Sequence, residues 1–127
     1  MGSNMDSQRW LAYAEEDYAY GKLGLAMFPR ASAWSFQQAA EKALKACLLH
    51  RSEVPPRTHD LLLLFNLVVV GEPPEIKTAV LLLAEITAAS RYPDDTEDVT
   101  VGLAVEYELA VRQVIDYARA VTAPSPQ

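Results

Sequence analysis

The chain has 127 residues, half of them apolar, enough for one ordinary domain whose core needs no metal or disulfide staple. A single cysteine, Cys47, excludes an internal disulfide framework, and without a CxxC pair it argues against a structural zinc site. A formal net charge of -6 excludes a broad electrostatic footprint for duplex DNA or an anionic membrane, and no apolar run approaches the roughly 20 residues of a membrane helix.

Residues 1–5 read as a tag or an unstructured start, with Met1-Gly2-Ser3-Asn4 preceding a second methionine, Met5. No basic segment followed by an apolar stretch marks a secretory signal. Gly2 would suit myristoylation, but Asp6 stands where Ser or Thr is required. The cytoplasm is the expected location.

Residues 6–122 read as a helical bundle. From Trp10 to Phe28 an apolar stripe runs Leu11, Ala14, Tyr18, Gly21, Leu25, Phe28 at helical spacing, and Pro29 ends it. A second helix spans about 31–50 with the stripe Ala33, Phe36, Ala40, Ala43, Cys47. Its small side chains allow close approach and predict a central position. Cys47 belongs to that stripe and is expected to act as a small buried hydrophobe.

Arg51 to Arg57 is a connector containing Pro55-Pro56. Leu61 to Val70 is apolar on nearly every side. With no second strand to pair with, a lone strand would leave its ladder groups unsatisfied, so a helix is expected, capped by Thr58 or Asp60. Gly71-Glu72-Pro73-Pro74 breaks the chain and opens a fourth helix with the stripe Ile76, Val80, Leu83, Ile86, Ala89, ending at Arg91-Tyr92 before Pro93. An acidic loop, Asp94 to Asp98, precedes a last helix bearing Leu103, Tyr107, Ala110, Val114, Tyr117 and Val121. Residues 123–127 form a frayed tail. The expected fold is all-α, an up-and-down bundle of four to five helices.

Three polar groups exceed what such a bundle needs. Gln37-Gln38 through Lys45 place Gln38, Glu41, Lys42 and Lys45 on one side of the second helix. An exposed Glu41–Lys45 i,i+4 pair, worth about 0.3–0.5 kcal/mol, is the plainer reading; donors for a phosphate or a base edge are the sharper one. At Arg57-Thr58-His59-Asp60, Asp60 suits a helix N-terminus, while Arg57 and His59 beside it would make an anion pocket. At Arg91-Tyr92-Pro93, the arginine suits a helix C-terminus, or grips a phosphate while Tyr92 stacks on a base. The run Asp94 to Asp98 lacks spaced ligand geometry and reads as a solvated loop, so neither a metal nor a cofactor is expected. No nucleophile elbow or complete acid–base set is present.

In order along the chain stand an aromatic-rich first helix with Ala14 and Asp17, then Gln37-Gln38-Ala39-Ala40-Glu41-Lys42-Ala43-Leu44-Lys45-Ala46, then Thr58-His59-Asp60-Leu61, and finally Ser90-Arg91-Tyr92-Pro93-Asp94. The set resembles the HEPN domain, the higher-eukaryote and prokaryote nucleotide-binding family, from about Trp10 to Val121. The resemblance implies a compact bundle of four or five helices that commonly forms homodimers. It also implies work beside a small, minimal nucleotidyltransferase in two-component or toxin–antitoxin arrangements. Many HEPN proteins are metal-independent RNases carrying an arginine, four to six residues, then a histidine.

Here the RNase pattern is broken. No histidine follows Arg91; Arg51 precedes His59 by one residue too many, and Arg57 by far too few. Lys45 and His50 keep the spacing without the arginine. The expectation is therefore a nucleotide-binding or nucleotidyltransferase-partner module without chemistry of its own, with Gln38, Glu41, Lys42, Lys45, His59, Arg91 and Tyr92 as its ligand site. The alternatives are a divergent RNase acting through Arg91 or His59, and a dimerising interaction protein whose polar groups only support packing.

Overall fold

The computed structural model describes residues 2–71, 75–89 and 98–124, with backbone alone for 2–5 and 87–89. Among them are five α-helices and no strand: α1 (Gly2–Gly24), α2 (Pro29–His50), α3 (Leu61–Val68), α4 (Lys77–Ala89) and α5 (Val101–Val121). The all-α bundle expected from the periodicity is the fold observed.

The helix ends depart from the apolar stripes in instructive ways. α1 begins at Gly2, well before Trp10. Early in it, the buried Ser7 donates its hydroxyl to the Ala46 carbonyl of α2 at 3.0 Å. α1 stops at Gly24 rather than at Pro29, because Met27 and Phe28 turn their N–H groups back onto the Gly24 carbonyl at 3.2 and 2.7 Å. Pro29 instead opens α2, where its missing N–H costs nothing and its fixed φ suits a helix start. Phe28, placed in the core stripe by spacing, is consequently exposed.

α2 packs against each of the other four helices, the central position its small side chains predicted. Ala33, Phe36, Ala39, Ala40, Ala43, Ala46 and Cys47 are essentially inaccessible. The Phe36 ring lies 6.0 Å from that of Tyr18 and presses on Gly21, where a Cβ would come within 2.6 Å of Phe36 Cε1. Burial pushes the Cys47 thiol up to about 12, as a small buried hydrophobe requires.

At the end of α2, Ser52 takes φ 61° while Ser52 N–H reaches the Leu49 carbonyl and Glu53 N–H reaches that of Leu48, the paired bonds of a Schellman stop. The stop turns the connector back along α2. α3 is only eight residues long and would be marginal alone. Both ends are tied. Asp60 accepts from Leu63 N–H at 3.1 Å, as one of the two expected caps, and Arg51 donates to the Leu67 and Val68 carbonyls at 2.7 and 2.8 Å. Arg51 in turn is held by Glu53. Thr100 caps α5 by accepting from Leu103 N–H.

Candidate functional site

The polar run of α2 does not face solvent. Gln37, Glu41 and Lys45 are all buried, because α1 covers one edge of this face and the returning connector covers the other. The exposed Glu41–Lys45 pair anticipated from i,i+4 spacing is therefore corrected: the pair forms, Lys45 Nζ to Glu41 Oε2 at 3.0 Å, with side chains only 10% and 7% exposed.

Glu41 is the hub. Its second oxygen, Oε1, lies 2.8 Å from His59 Nδ1, so one buried carboxylate joins α2 to the residue two places before α3. The His59 ring is 69% exposed on its outer side. Gln37 Nε2 donates to the His59 carbonyl at 3.3 Å, and Gln38 Nε2 donates to Gln37 Oε1 at 2.7 Å. Lys45 Nζ also stands 5.8 Å from the Trp10 ring centroid, within cation–π range. Lys42 pairs with Asp17 of α1, both about a quarter exposed.

Five of the seven expected residues, Gln38, Glu41, Lys42, Lys45 and His59, are thus brought onto one face of the bundle. Arg91 and Tyr92 lie outside the described residues, as does most of the acidic loop. The anticipated anion pocket at the start of α3 is already filled: the Asp60 carboxylate holds the Leu63 N–H, and Thr58 Oγ1 accepts from Asp60 N–H. Arg57 is exposed.

This arrangement governs the chemistry available. Lys45 and Lys42 each have a carboxylate of their own, and a phosphate taking Lys45 would strip a buried Glu41 of its cation, an exchange costing several kcal/mol. Glu41 fixes the His59 ring through Nδ1 and turns its other edge outward. Among the described residues, no three His, Cys, Asp or Glu side chains gather as metal ligands would.

A second polar network escaped the sequence reading. Arg112 of α5 grips Glu15 of α1 with two bonds, Nη1 to Oε1 at 2.8 Å and Nη2 to Oε2 at 3.1 Å, and bonds Asp116 through Nε at 3.0 Å. Its guanidinium carbon stands 4.8 Å from the Tyr18 ring centroid, and Arg119 adds a bond to Glu15 at 2.8 Å. Arg112's hydrogen bonds hold the Glu15 carboxyl below the usual carboxylate range against the opposing effect of burial, with Arg119 assisting. The Arg112–Asp116 spacing is visible in the sequence. Glu15, 97 positions away from Arg112, is not.

A five-helix bundle with a buried polar hub on its central helix is the class of protein defined by this geometry. The HEPN domain family matches residues 7–125, and the chain belongs to that family. The structure is similar to that of TT1696 from Thermus thermophilus, with a TM-score of 0.81 at 23% identity, covering 91% of this chain and 97% of that one. That likeness shows the fold alone. No curated protein matches the chain. None of the helices among the described residues is long and apolar enough to cross a membrane.

Proposed function

We propose that this HEPN bundle is a binding module that acts by associating with protein rather than by chemistry of its own. The partner is the one the family resemblance implies, a minimal nucleotidyltransferase in a two-component, toxin–antitoxin-like arrangement. The observation that carries the reading is the state of the charges: Lys42 is satisfied by Asp17, and Lys45 by Glu41, which also holds His59. Apolar side chains, by contrast, stand bare, among them Val101, Val105 and Leu109 at every fourth position of α5. Such a stripe is the kind of surface another protein covers. A minimal nucleotidyltransferase encoded beside this chain, co-expressed with it, is expected to co-purify in a fixed ratio and to separate when Val105 and Leu109 are changed to glutamate. A nucleotidyltransferase that elutes apart from the unaltered chain overturns the reading.

A second reading, nucleotide binding, is favoured by the outward edge of His59, the half-buried Trp10 indole and Gln38 on one face. Calorimetry with ATP, GTP and AMP, with and without magnesium, tests it against His59→Ala and Arg91→Ala controls. Millimolar or tighter binding that both substitutions weaken would make this the leading reading. Cleavage of labelled RNA that vanishes in the double substitution would revive the RNase alternative.

A further inference from the structure

The chain has two histidines, His50 and His59, in unlike surroundings. His50 is half-buried at the end of α2, with no carboxylate on its ring among the described residues. The His59 side chain is 69% exposed, yet its Nδ1 lies 2.8 Å from Oε1 of the buried Glu41. Its main chain is held as well. Gln37 Nε2 donates to the His59 carbonyl, and the following N–H, that of Asp60, donates to Thr58 Oγ1.

This pairing decides which ring nitrogen can react. A carboxylate only accepts hydrogen bonds, so Nδ1 carries the proton shared with Glu41. In the neutral imidazole the lone pair then falls on Nε2, at the outward edge. Lys45 already balances the Glu41 charge at 3.0 Å, so the carboxylate does not call for a second proton on the ring. A carboxylate behind an imidazole also fixes its tautomer and orientation. The outcome is an exposed, oriented nitrogen nucleophile.

We propose that His59 Nε2 is a phosphoryl-acceptor site, loaded by a donor of the phosphoramidate class. The Nε2 lone pair forms a new N–P bond as the donor's own P–N bond breaks. The electron pair of the broken bond leaves with the donor nitrogen, already protonated, as the free amine. His59 keeps its Nδ1 proton, and the positive charge that the ring acquires faces Glu41, which stabilises it as it develops. One P–N bond replaces another, so no further co-reactant is needed. Arg57, exposed and two residues earlier, has no ion pair among the described residues and is left to meet the phosphoryl oxygens. Lys42 and Lys45 are committed to Asp17 and Glu41, and Asp60 fills the start of α3, so this face is not built to hold a free phosphate ion. Covalent capture at Nε2 requires no such pocket. It is a modification rather than a turnover, and it stands apart from the α5 surface assigned to a protein partner.

The full chain is incubated with potassium phosphoramidate, and phosphorus NMR with mass spectrometry reads the site and rate of labelling. The same reaction is run on the chain unfolded in urea, each rate being divided by that of free imidazole in the same buffer. Unfolding exposes both histidines, so the unfolded rate is the ceiling that exposure alone allows. The expected result is labelling of His59 Nε2 in the native chain at least about 10-fold faster than in the unfolded one. That label should be absent from His59→Gln. Glu41→Gln/Lys45→Met, which removes both buried charges, should bring His59 down to the unfolded rate, with circular dichroism confirming its fold. The comparison of native with unfolded chain uses no variant and decides the matter even if this pair of substitutions fails to fold. A native rate at or below the unfolded one overturns the proposal. So does a phosphoryl group on Nδ1, or a folded double variant labelled as fast as the unaltered chain.

Discussion

Lys45 Nζ meets Glu41 Oε2 at 3.0 Å beneath α1 and the connector, with both side chains at least nine-tenths buried, while the other oxygen of Glu41 holds His59. Removing one member of such a pair leaves an uncompensated charge inside the protein. Lys45→Ala is expected to cost about 3 kcal/mol in urea unfolding. Glu41→Leu/Lys45→Leu together should cost less than Lys45→Ala alone, because no orphaned charge remains. A loss under about 0.5 kcal/mol for Lys45→Ala would mean that the pair behaves as an exposed one.

Gly21 supplies the space in which Phe36 sits. Alanine is the better helix former by about 1 kcal/mol. Here, however, its Cβ would lie 2.6 Å from a fully buried ring. Gly21→Ala should therefore lower stability by about 1–3 kcal/mol, seen as a reduced melting temperature. Adding Phe36→Leu to Gly21→Ala should recover part of the loss, since the clash is with the ring itself.

Arg51 closes the C-terminus of α3 with two bonds to main-chain carbonyls. Arg51→Ala is expected to cost about 1–2 kcal/mol. Native-state hydrogen exchange should localise the effect, with amides of residues 61–68 exchanging faster while those of α2 hold. Uniform acceleration across the bundle would contradict the assignment of Arg51 as a local clasp.

The Glu15 carboxyl is held below its ordinary value of 4.5, first by hydrogen bonds from Arg112. A depressed carboxyl contributes stability above its unfolded value, and that contribution is lost as pH falls through the folded one. Melting temperatures measured from pH 7 to pH 3 should show the unaltered chain ahead of Glu15→Gln at neutral pH. The gap should narrow below about pH 4.5. A gap that stays constant down to pH 3 would mean that the Arg112 clamp does not discriminate between the two charge states.

Cys47, with its thiol pushed up to about 12 by burial, carries almost no thiolate at pH 8. A thiol-specific chromogenic reagent should leave the native chain unlabelled and react with one equivalent after unfolding in guanidinium. Fast labelling of the native protein would show that α2 opens at its C-terminal half.

Each of the five helices was legible in the sequence because each buries an apolar stripe at helical period, and burial of that stripe is what stabilises a helix in a domain. Asp60 could be read as a cap for the same reason, since capping is local chemistry. The ordered strings around Glu41, His59 and Arg91 carried the HEPN family. What lay beyond reach was every relationship set by distant parts of the chain. Spacing places Glu41 and Lys45 on one helix face but cannot say whether that face is wet. Only the return of the connector and the cover of α1 bury it, turning an ordinary surface pair into the hub that anchors His59. The Glu15–Arg112 clamp spans α1 and α5 in the same way. Phe28 shows the opposite case, an apolar residue in register with the core stripe that a four-residue turn leaves bare. Local periodicity determines which segments coil and which sides are apolar; the meeting of segments decides which charges are buried and which apolar side chains are left for a partner.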